Sequence, residues 1–443
     1  MKKLSTLLLL ALLGVANVSC DDDNGTSPAP IDQSTEVVEL SGAITSDMTL
    51  KADKKYLLKG FVYVQAPAKL TIEPGTIIKG DKTSKGSLII ERGAQIVARG
   101  TAEKPIVFTS NQAKGSRAAG DWGGLIILGK APVNLGSNAA IEGGVDRLYG
   151  GDQAADNSGV LKYVRVEFAG IAFQPDNEIN GITFGGVGSG TEIDFVQVSY
   201  SGDDSFEWFG GTVNAKHLIA YKTVDDMFDT DNGYSGTIQY ALGISDPSVA
   251  DVSKSNGFES DNNKAGDSAT PNTRAKFSNI SLFGPLATSS TNANANFGSG
   301  IHFKKNTRIS VYNSVIAGWP TGIYLDGSAV EGGATNNELN FKNNFIVASA
   351  TPLKVATGST FNIQNWFDSN NNALKTANTD VKVENSYKQN GAPTLLPGSG
   401  SVLLSGASFT NLNGFEQVQY IGAFGATDWT AGWANFDPQN TDY

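Results

Sequence analysis

The chain carries the heptapeptide SGDDSFE at residues 201–207, and a matching heptapeptide, TVDDMFD, follows 22 residues later at 223–229. A third and shorter copy, SNGFE at residues 255–259, comes 30 residues after the second. A period of this size is typical of a solenoid, in which equivalent residues of successive coils lie above one another. Neighbouring strands are about 4.8 Å apart. The repeat therefore predicts both a fold and a column of stacked carboxylates.

The same period continues on both sides of the acidic copies. With the aromatic position as the marker, we align Phe184, Phe206, Phe228, Phe258, Phe303 and Leu325. Short apolar runs separated by Gly and Asn, without a helical periodicity, indicate β-strands. The longer intervals suggest coils with surface insertions. We predict an all-β fold, a parallel β-helix formed by a single-stranded solenoid and closed by a C-terminal cap.

Further segments add a family resemblance. LTIEPGTIIKG at residues 70–80 and GTAEKPIVFTS at 100–110 resemble coils of right-handed β-helix proteins of the pectate-lyase-like superfamily. From GDWGGL at 120–125 to DWTAGW at 428–433, the chain resembles β-helix surface lipoproteins of Bacteroidota. The resemblance implies a right-handed solenoid. It says much less about activity, since one fold serves many functions.

Composition narrows the function classes. The formal net charge is −11, and there are 51 glycines, two histidines and one cysteine among 443 residues. A negative balance disfavours nucleic acid and anionic membrane surfaces as partners, and it favours cations or neutral glycans. So few histidines and cysteines essentially exclude zinc sites, thiol catalysis and disulfides.

The N-terminal segment resembles a lipoprotein leader. A basic start at Lys2 and Lys3 precedes an apolar run over residues 4–18, which is too short to span a membrane. We predict a signal peptide at 1–19, a lipidated Cys20 with a Ser/Pro-rich tether over 20–35, and a β-helix domain at 36–443. The acidic run DDD at 21–23 resembles the signal for the outer face of the outer membrane. The predicted location is therefore the cell exterior, with membrane contact through the lipid anchor alone. An ordinary secretory leader is the alternative.

The acidic column needs something to offset its charge. If Phe206, Phe228 and Phe258 point inward, the strand alternation sends the residue after each one outward. Stacked carboxylates must be paired, protonated or bridged by a cation, and calcium accepts flexible clusters of oxygen ligands. The predicted calcium ligands are Asp203, Glu207, Asp225, Asp229, Asp231, Glu259 and Asp261. A solvated acidic face without metal is the alternative.

Polar residues two positions before the marker conflict with strict alternation. Asp204, Asp226 and Asn256 would point into the core, where other coils carry isoleucine. Either the strand bends there, or a stacked Asp/Asn ladder hydrogen-bonds the backbone inside the solenoid. We favour the ladder.

The function favoured by the sequence is binding or presentation of an extracellular polymer, carbohydrate in particular, without catalysis. Aromatic rings stack on pyranose faces, and the predicted platform comprises Trp208, Tyr234, Trp319 and Tyr324, unless these rings pack internally. One alternative is a calcium-dependent polysaccharide lyase or a glycoside hydrolase. Its catalytic residues would be Asp203, Asp204, Asp229 and Lys304. Another alternative is a structural or adhesion module, or an accessory of an outer-membrane transporter.

Overall fold

The computed structural model describes residues 36–136, 139–174, 177–288, 290–383 and 393–443. All of these belong to one unit, Ser34–Tyr443. The signal peptide, Cys20 and the tether lie outside the described residues, so those statements stay predictions. Within the described part, no helix is both long and apolar enough to cross a bilayer.

Parallel strand pairing builds a solenoid. Over the described ranges, 26 strands join into one continuous sheet. Each strand pairs with its counterparts in the neighbouring coils. Phe206–Phe209, for example, pairs in parallel with Ile182–Gly185 on one side and with Phe228–Asp231 on the other. The predicted all-β parallel β-helix is confirmed, while its right-handed sense remains what the resemblance implies.

The coils present three faces, which we name sheets A, B and C. Sheet A contains the second halves of Val37–Ile44 and Lys55–Val64, then Ser87–Ile90, Leu125–Leu128, Ile182–Gly185, Phe206–Phe209, Phe228–Asp231, Phe258–Ser260, Ser299–Phe303, Thr321–Leu325 and Thr351–Val355. Sheet B contains Met48–Leu50, Lys69–Ile72, Gln95–Arg99, the first halves of Gly159–Glu167, Glu192–Ser199, Asn214–Tyr221, Thr237–Ile244 and Lys276–Phe283, and then Ser310–Tyr312 and Asn340–Lys342.

Sheet C and the smaller elements complete the solenoid. Sheet C contains the first halves of Val37–Ile44 and Lys55–Val64, then Ile77–Gly80, Ile106–Ser110, the second halves of the five strands shared with sheet B, and Val315–Ala317, Phe345–Val347 and Ala373–Lys375. Two antiparallel hairpins join Ala139–Ala140 to Leu148–Tyr149 and Ala172–Gln174 to Asn177–Glu178. The helices are Ser328–Thr335 and Ile363–Ser369, with 3₁₀ turns at Asn378–Asp380, Val402–Leu404 and Pro438–Asn440.

A column of residues in the left-handed backbone conformation forms the bend between sheets B and C. Tyr163, Phe195, His217 and Tyr240 have φ values of 50°, 53°, 51° and 61°, a conformation that bulky side chains seldom adopt. Stacking between coils compensates, since the ring centroids of Phe195 and His217 lie 4.1 Å apart and those of His217 and Tyr240 5.0 Å apart. Later coils place asparagine at the same bend, beginning with Asn279.

The core confirms part of the predicted alignment and corrects the rest. Phe206, Phe228 and Phe258 pair in register and stack, with centroid distances of 5.6 and 5.0 Å. Phe184, however, pairs with Trp208 rather than Phe206, because the coil from Ile182 to Phe206 is 24 residues long instead of 22. Phe303 likewise pairs with Ser260. Two-residue differences in turn length preserve the inward direction of a side chain, so the hydrophobic pattern cannot reveal the shift.

The predicted C-terminal cap is wrong in its placement. Residues 393–443, here called the C-terminal strap, lie along sheet C instead of across the end of the solenoid. Leu403, Ile421, Phe424 and Trp433 of the strap share one buried apolar cluster with the outer residues of sheet C. The backbone N–H of Ser408 donates to Asn313 Oδ1 (2.8 Å), and that of Asn435 donates to Gln197 Oε1 (2.8 Å). The strap thus runs back towards the earlier coils.

A short helix occupies the place expected for the cap. Helix Ile363–Ser369 supplies Trp366 and Phe367 to the main core, and the ring of Phe367 lies 6.0 Å from that of Phe341 in a late coil. Trp429 and Trp433 of the strap contact the aromatic bend instead, each at Phe195.

Candidate functional site on sheet A

The acidic column forms on three successive coils. Glu207, Asp229 and Glu259 are paired in register, so the sequence repeat placed them correctly relative to one another. Their exposure differs from the outward, solvated face that was expected. Glu207 is buried, and its Oε2 accepts a hydrogen bond from Asn180 Nδ2. Asp229 and Glu259 are half-buried.

Inserted segments cover the column. Glu142, in the hairpin that joins Ala139–Ala140 to Leu148–Tyr149, is hydrogen-bonded to Glu207. Glu178 adds a further carboxylate close enough to raise the pKa of Glu142. Neither glutamate belongs to the 22-residue repeat, and the sequence reading missed both. The inserted segments thus turn an open acidic face into a partly enclosed acidic cluster.

The inward polar residues form the expected ladder. The backbone N–H of Asp226 donates to Asp204 Oδ1 (2.8 Å), that of Asn256 donates to Asp226 Oδ1, and that of Ser299 donates to Asn256 Oδ1 (2.8 Å). Each side chain therefore satisfies a backbone group of the next coil, which removes the cost of an unpaired buried N–H. The ladder interpretation is confirmed, and it gives Asp204 a structural role.

Beside the ladder lies a pair of carboxyls that are not part of it. Asp203 and Asp225 lie on successive coils, one residue before the ladder. Burial raises the pKa of Asp203 well above its usual value, and the adjacent Asp225 adds to that effect. Burial also raises the pKa of Asp225 to about 7, although Ser253, whose hydroxyl donates to Asp225 Oδ2 (2.9 Å), works against the rise.

Cations gather at one end of the cluster, in a register that differs from the prediction. His302, not Lys304, pairs with Glu259. The backbone N–H of Lys304 donates to the carbonyl oxygen of Ser260. Lys304 Nζ still reaches Glu259 and forms an ion pair with it, and Lys305 Nζ lies 2.6 Å from Asp261 Oδ2. Burial opposes charging of Lys304, yet the surrounding carboxylates, Glu259 first, raise its pKa overall.

Burial and mutual repulsion make the carboxyls reluctant to ionise. Burial is the largest cause throughout, and neighbouring carboxylates add to it. It raises the pKa of Glu142 and of Asp231 to about 7. The pKa values of Asp204, Glu207, Asp226 and Asp229 are all raised well above their ordinary range. At neutral pH the cluster therefore favours either protons or a bound cation.

Three overlapping groups of carboxyls have the spacing that a metal ion requires. In each group the candidate ligand atoms lie within 4.8 Å of one another, and the groups are Asp203 with Asp204 and Asp225, Asp204 with Glu207 and Asp229, and Asp226 with Asp229 and Glu259. Buried Oδ1 atoms of Asp225, Asp229 and Asp261 lack a hydrogen-bond partner among the described residues. Oxygen-only ligands of this kind suit calcium.

Most of the predicted calcium ligands belong to these three groups of carboxyls. Asp203, Glu207, Asp225 and Glu259 each belong to one of the three groups, and Asp229 belongs to two. Asp231 and Asp261 lie two residues further along their strands and outside these groups. Asp204 and Asp226 join the groups although the sequence reading reserved them for the ladder. The residues fit a calcium ion, and its presence stays a prediction.

The predicted aromatic platform is largely wrong. Trp208, Tyr234 and Trp319 are fully buried. Trp208 stacks between Phe184 and Tyr234 at centroid distances of 5.5 and 5.4 Å, so these rings fill the core. Large aromatics are valuable for packing a wide solenoid, and the repeat alone did not reveal their direction. Tyr324 alone of the four is partly exposed; its ring stacks on His302 and its hydroxyl donates to Asp326 (2.9 Å).

One comparison with known proteins is informative. The family model described as a pectate-lyase like beta helix domain matches residues 42–434. The match begins in the first strand and ends within the strap, so it covers nearly the whole described solenoid. No curated protein matches the chain.

Proposed function

This chain belongs to the pectate-lyase-like β-helix domain family, and we propose that it binds an extracellular polysaccharide through a calcium-loaded acidic cluster on sheet A. Family membership supports a polysaccharide-related role. The observation that carries the finer proposal is the three-coil cluster of buried and half-buried carboxyls, in which the buried Asp229 Oδ1 atom has no partner among the described residues. The proposal keeps the expected lipid anchor at Cys20 and a position on the cell exterior.

Calcium would offset the repulsion that the protein itself leaves unbalanced. Lys304 and Lys305 neutralise only the Glu259–Asp261 end of the cluster. The residues that would hold the ion are Asp204, Glu207 and Asp229, or the equivalent group one coil further on. Bound calcium would supply a positive charge and would coordinate oxygen atoms of sugar hydroxyls or carboxylates. In this proposal Asp229, shared by two of the groups, is the central ligand.

Binding is favoured over cleavage by the charge state of Lys304. Lys304, the residue considered as a base, is ion-paired to Glu259 and has a raised pKa, so it stays protonated at neutral pH.

One observation keeps a hydrolase as the second candidate. The pKa values of Glu142 and Asp225 are about 7, which is where a general acid or base is most effective at neutral pH. A hydrolytic site would therefore draw on Asp225 and Glu142 rather than on Lys304.

The calcium part is tested by chelation. We expect EDTA to lower the melting temperature of the parent protein, since a ligand present at about 100 times its Kd stabilises the folded state by about 2.7 kcal/mol. Asp229→Asn combined with Glu259→Gln should abolish that response. The matched control, Asp53→Asn with Asp152→Asn, removes two exposed carboxylates elsewhere and should preserve it. An unchanged melting temperature of the parent in EDTA would eliminate the calcium proposal.

The polysaccharide part is tested by glycan-array binding together with a turnover assay, with and without calcium. Calcium-dependent binding without turnover supports the proposal. Release of reducing or unsaturated ends that is lost in Asp203, Asp225 or Asp229 variants would establish the enzyme instead. If the protein shows no binding and no turnover, the carbohydrate role is refuted. A protein partner or an adhesion role would then be the alternative.

A further inference from the structure

Sheet B carries an elongated groove on a different face from the acidic cluster. Three hollows of about 380, 540 and 380 Å³ follow one another along its outer surface. The first and second hollows share Thr237, and the second and third share Tyr312. Phe415 and Leu412 of the C-terminal strap line the first and third hollows. We call this continuous line of hollows the sheet B groove.

Strand register gives the groove its length and its floor. It runs from the strand Glu192–Ser199 to the strand Asn340–Lys342, which is five strand spacings or roughly 24 Å. One row of outward residues is Thr237, Lys276, Ser310 and Asn340, each paired with the next. The neighbouring row includes Tyr312 and Lys342. Hydroxyl, amide and aromatic groups along a line of this length match several sugar units in an extended chain.

The second and third hollows are rich in cations that the protein leaves unpaired. Arg274 and Lys276 are exposed and Lys342 is half-buried, and within the described ranges their side chains form no hydrogen bond or ion pair. Arg308 is the exception, since its Nε lies 3.0 Å from Glu338 Oε2. The second hollow thus presents three cationic side chains against one carboxylate, and the third presents one cation and no carboxylate.

The first hollow has a different charge pattern. Its cation, Lys216, lies 2.6 Å from Glu416 Oε1 of the strap. Its acidic residues, Glu192 and Asp194, form ion pairs with Arg99 and Lys162 respectively. The unpaired positive charge therefore starts at the second hollow. In a chain whose net charge is −11, these free cations form a local positive surface that is available to an anionic ligand.

We propose that the sheet B groove binds an anionic polysaccharide, with carboxylate or sulfate groups of the polymer on Arg274, Lys276 and Lys342. Arginine and lysine form strong charge-assisted hydrogen bonds with both groups, and the ring of Tyr312 lies between the two basic hollows. A polymer with sparse charges suits a few cations separated by neutral hydroxyl and amide groups. A densely charged nucleic acid would meet repulsion from the rest of this acidic chain. The site needs no calcium and does not depend on the function proposed for sheet A.

The test measures Kd for defined oligosaccharides by isothermal titration calorimetry in EDTA. The probes are oligogalacturonate for carboxylates, a chondroitin sulfate oligosaccharide for sulfate esters, and a neutral dextran oligosaccharide. We expect one or both anionic probes to bind the purified protein more tightly than dextran and to bind less tightly as salt is added. The preferred probe identifies which anionic group the groove accepts. Equal binding of dextran, or binding that salt does not weaken, would overturn the proposal.

Variants locate the binding. Arg274→Gln with Lys276→Gln should weaken anionic binding by about tenfold or more, and Lys342→Gln should weaken it separately. The matched control, Lys69→Gln with Lys264→Gln, removes two exposed lysines outside the groove and should change Kd by less than about twofold. Equal losses in both double variants would show that net charge alone is responsible and would overturn the site.

Two further measurements separate this groove from the acidic cluster. Asp229→Asn with Glu259→Gln should leave the groove's affinity in EDTA unchanged, so failure of the calcium proposal does not affect this result. A single-stranded oligonucleotide should bind more weakly than the preferred oligosaccharide. Tighter oligonucleotide binding that is lost in Arg274→Gln with Lys276→Gln would replace the polysaccharide by a nucleic acid and refute the proposal.

Discussion

Replacing Asp231 by asparagine should stabilise this protein at alkaline pH and leave it nearly unchanged in acid. Burial raises the pKa of Asp231 from 3.8 to about 7, with Asp261 as the next contributor. Its Oδ1 accepts the backbone N–H of Asn232 at 2.6 Å, and an amide oxygen can accept the same hydrogen bond. Asp231→Asn therefore removes the ionisation and keeps the local geometry.

The sign of this pH dependence follows from the number of protons that the folded and unfolded states bind. Because the folded state holds its proton to a higher pH than the unfolded chain, the unfolded state binds fewer protons between pH 3.8 and about 7. The stability contributed by this carboxyl is complete below pH 3.8 and is lost as the pH rises towards 7. At 1.36 kcal/mol for each pH unit, the loss reaches up to roughly 4 kcal/mol, with about 2 kcal/mol expected if the site relaxes.

Urea denaturation in EDTA at pH 4, 6 and 8, followed by tryptophan fluorescence, measures this difference. The free energy of unfolding of Asp231→Asn should exceed that of the parent by about 2 to 4 kcal/mol at pH 8 and by little at pH 4. Asp152→Asn, at an exposed position, is the matched control and should follow the parent at each pH. A difference between Asp231→Asn and the parent that does not change with pH, or that favours the parent at pH 8, would refute the reasoning.

Three other expectations concern packing and the ladder. Trp208→Ala should lower the free energy of unfolding by about 3 to 5 kcal/mol in urea, because the ring is fully buried in the core. Asp226→Asn should retain the hydrogen bond from the Asn256 backbone, whereas Asp226→Ala should be less stable than Asp226→Asn by about 1 to 3 kcal/mol in the same assay. Deletion of residues 428–443 should lower the melting temperature and increase binding of an apolar fluorescent dye, since Trp433 covers part of sheet C. A truncated protein with parent-like melting and dye binding would contradict the role given to the strap.

The sequence predicted the repeated acidic coils well because their spacing is regular. Phe206, Phe228 and Phe258 stack as expected, and the carboxylates that follow them lie in one column. Outside these coils, turn length changes the register in steps that keep the inside–outside pattern intact. That is why Phe184 and Lys304 were aligned with the wrong partners. The inside–outside pattern of the sequence therefore does not reveal such shifts.

Burial was predicted less well than position. The repeat placed Glu207 on the outer side of its strand, but Glu142 arrives from an insertion with no periodicity and covers it. Trp208 and Trp319 were predicted to belong to an exposed platform, yet both fill the solenoid. The strap has few regular elements, so neither a strand nor a helix pattern could indicate that it packs on sheet C. These features depend on contacts between segments far apart in the chain.

The strap has a consequence for the order in which the protein is assembled. Lys79 Nζ donates to the backbone oxygen of Tyr443 across 364 residues, and Tyr443 Oη donates to Glu167 Oε1 (2.6 Å). Coils can form locally as the polypeptide emerges, but sheet C stays uncovered until the strap, residues 393–443, folds back over it. During that interval the side chains of Ile219, Leu242 and Phe283 form an exposed apolar surface that neighbouring chains can contact. Newly made molecules would therefore be most prone to self-association before the strap has packed on sheet C, when a chaperone has the greatest effect.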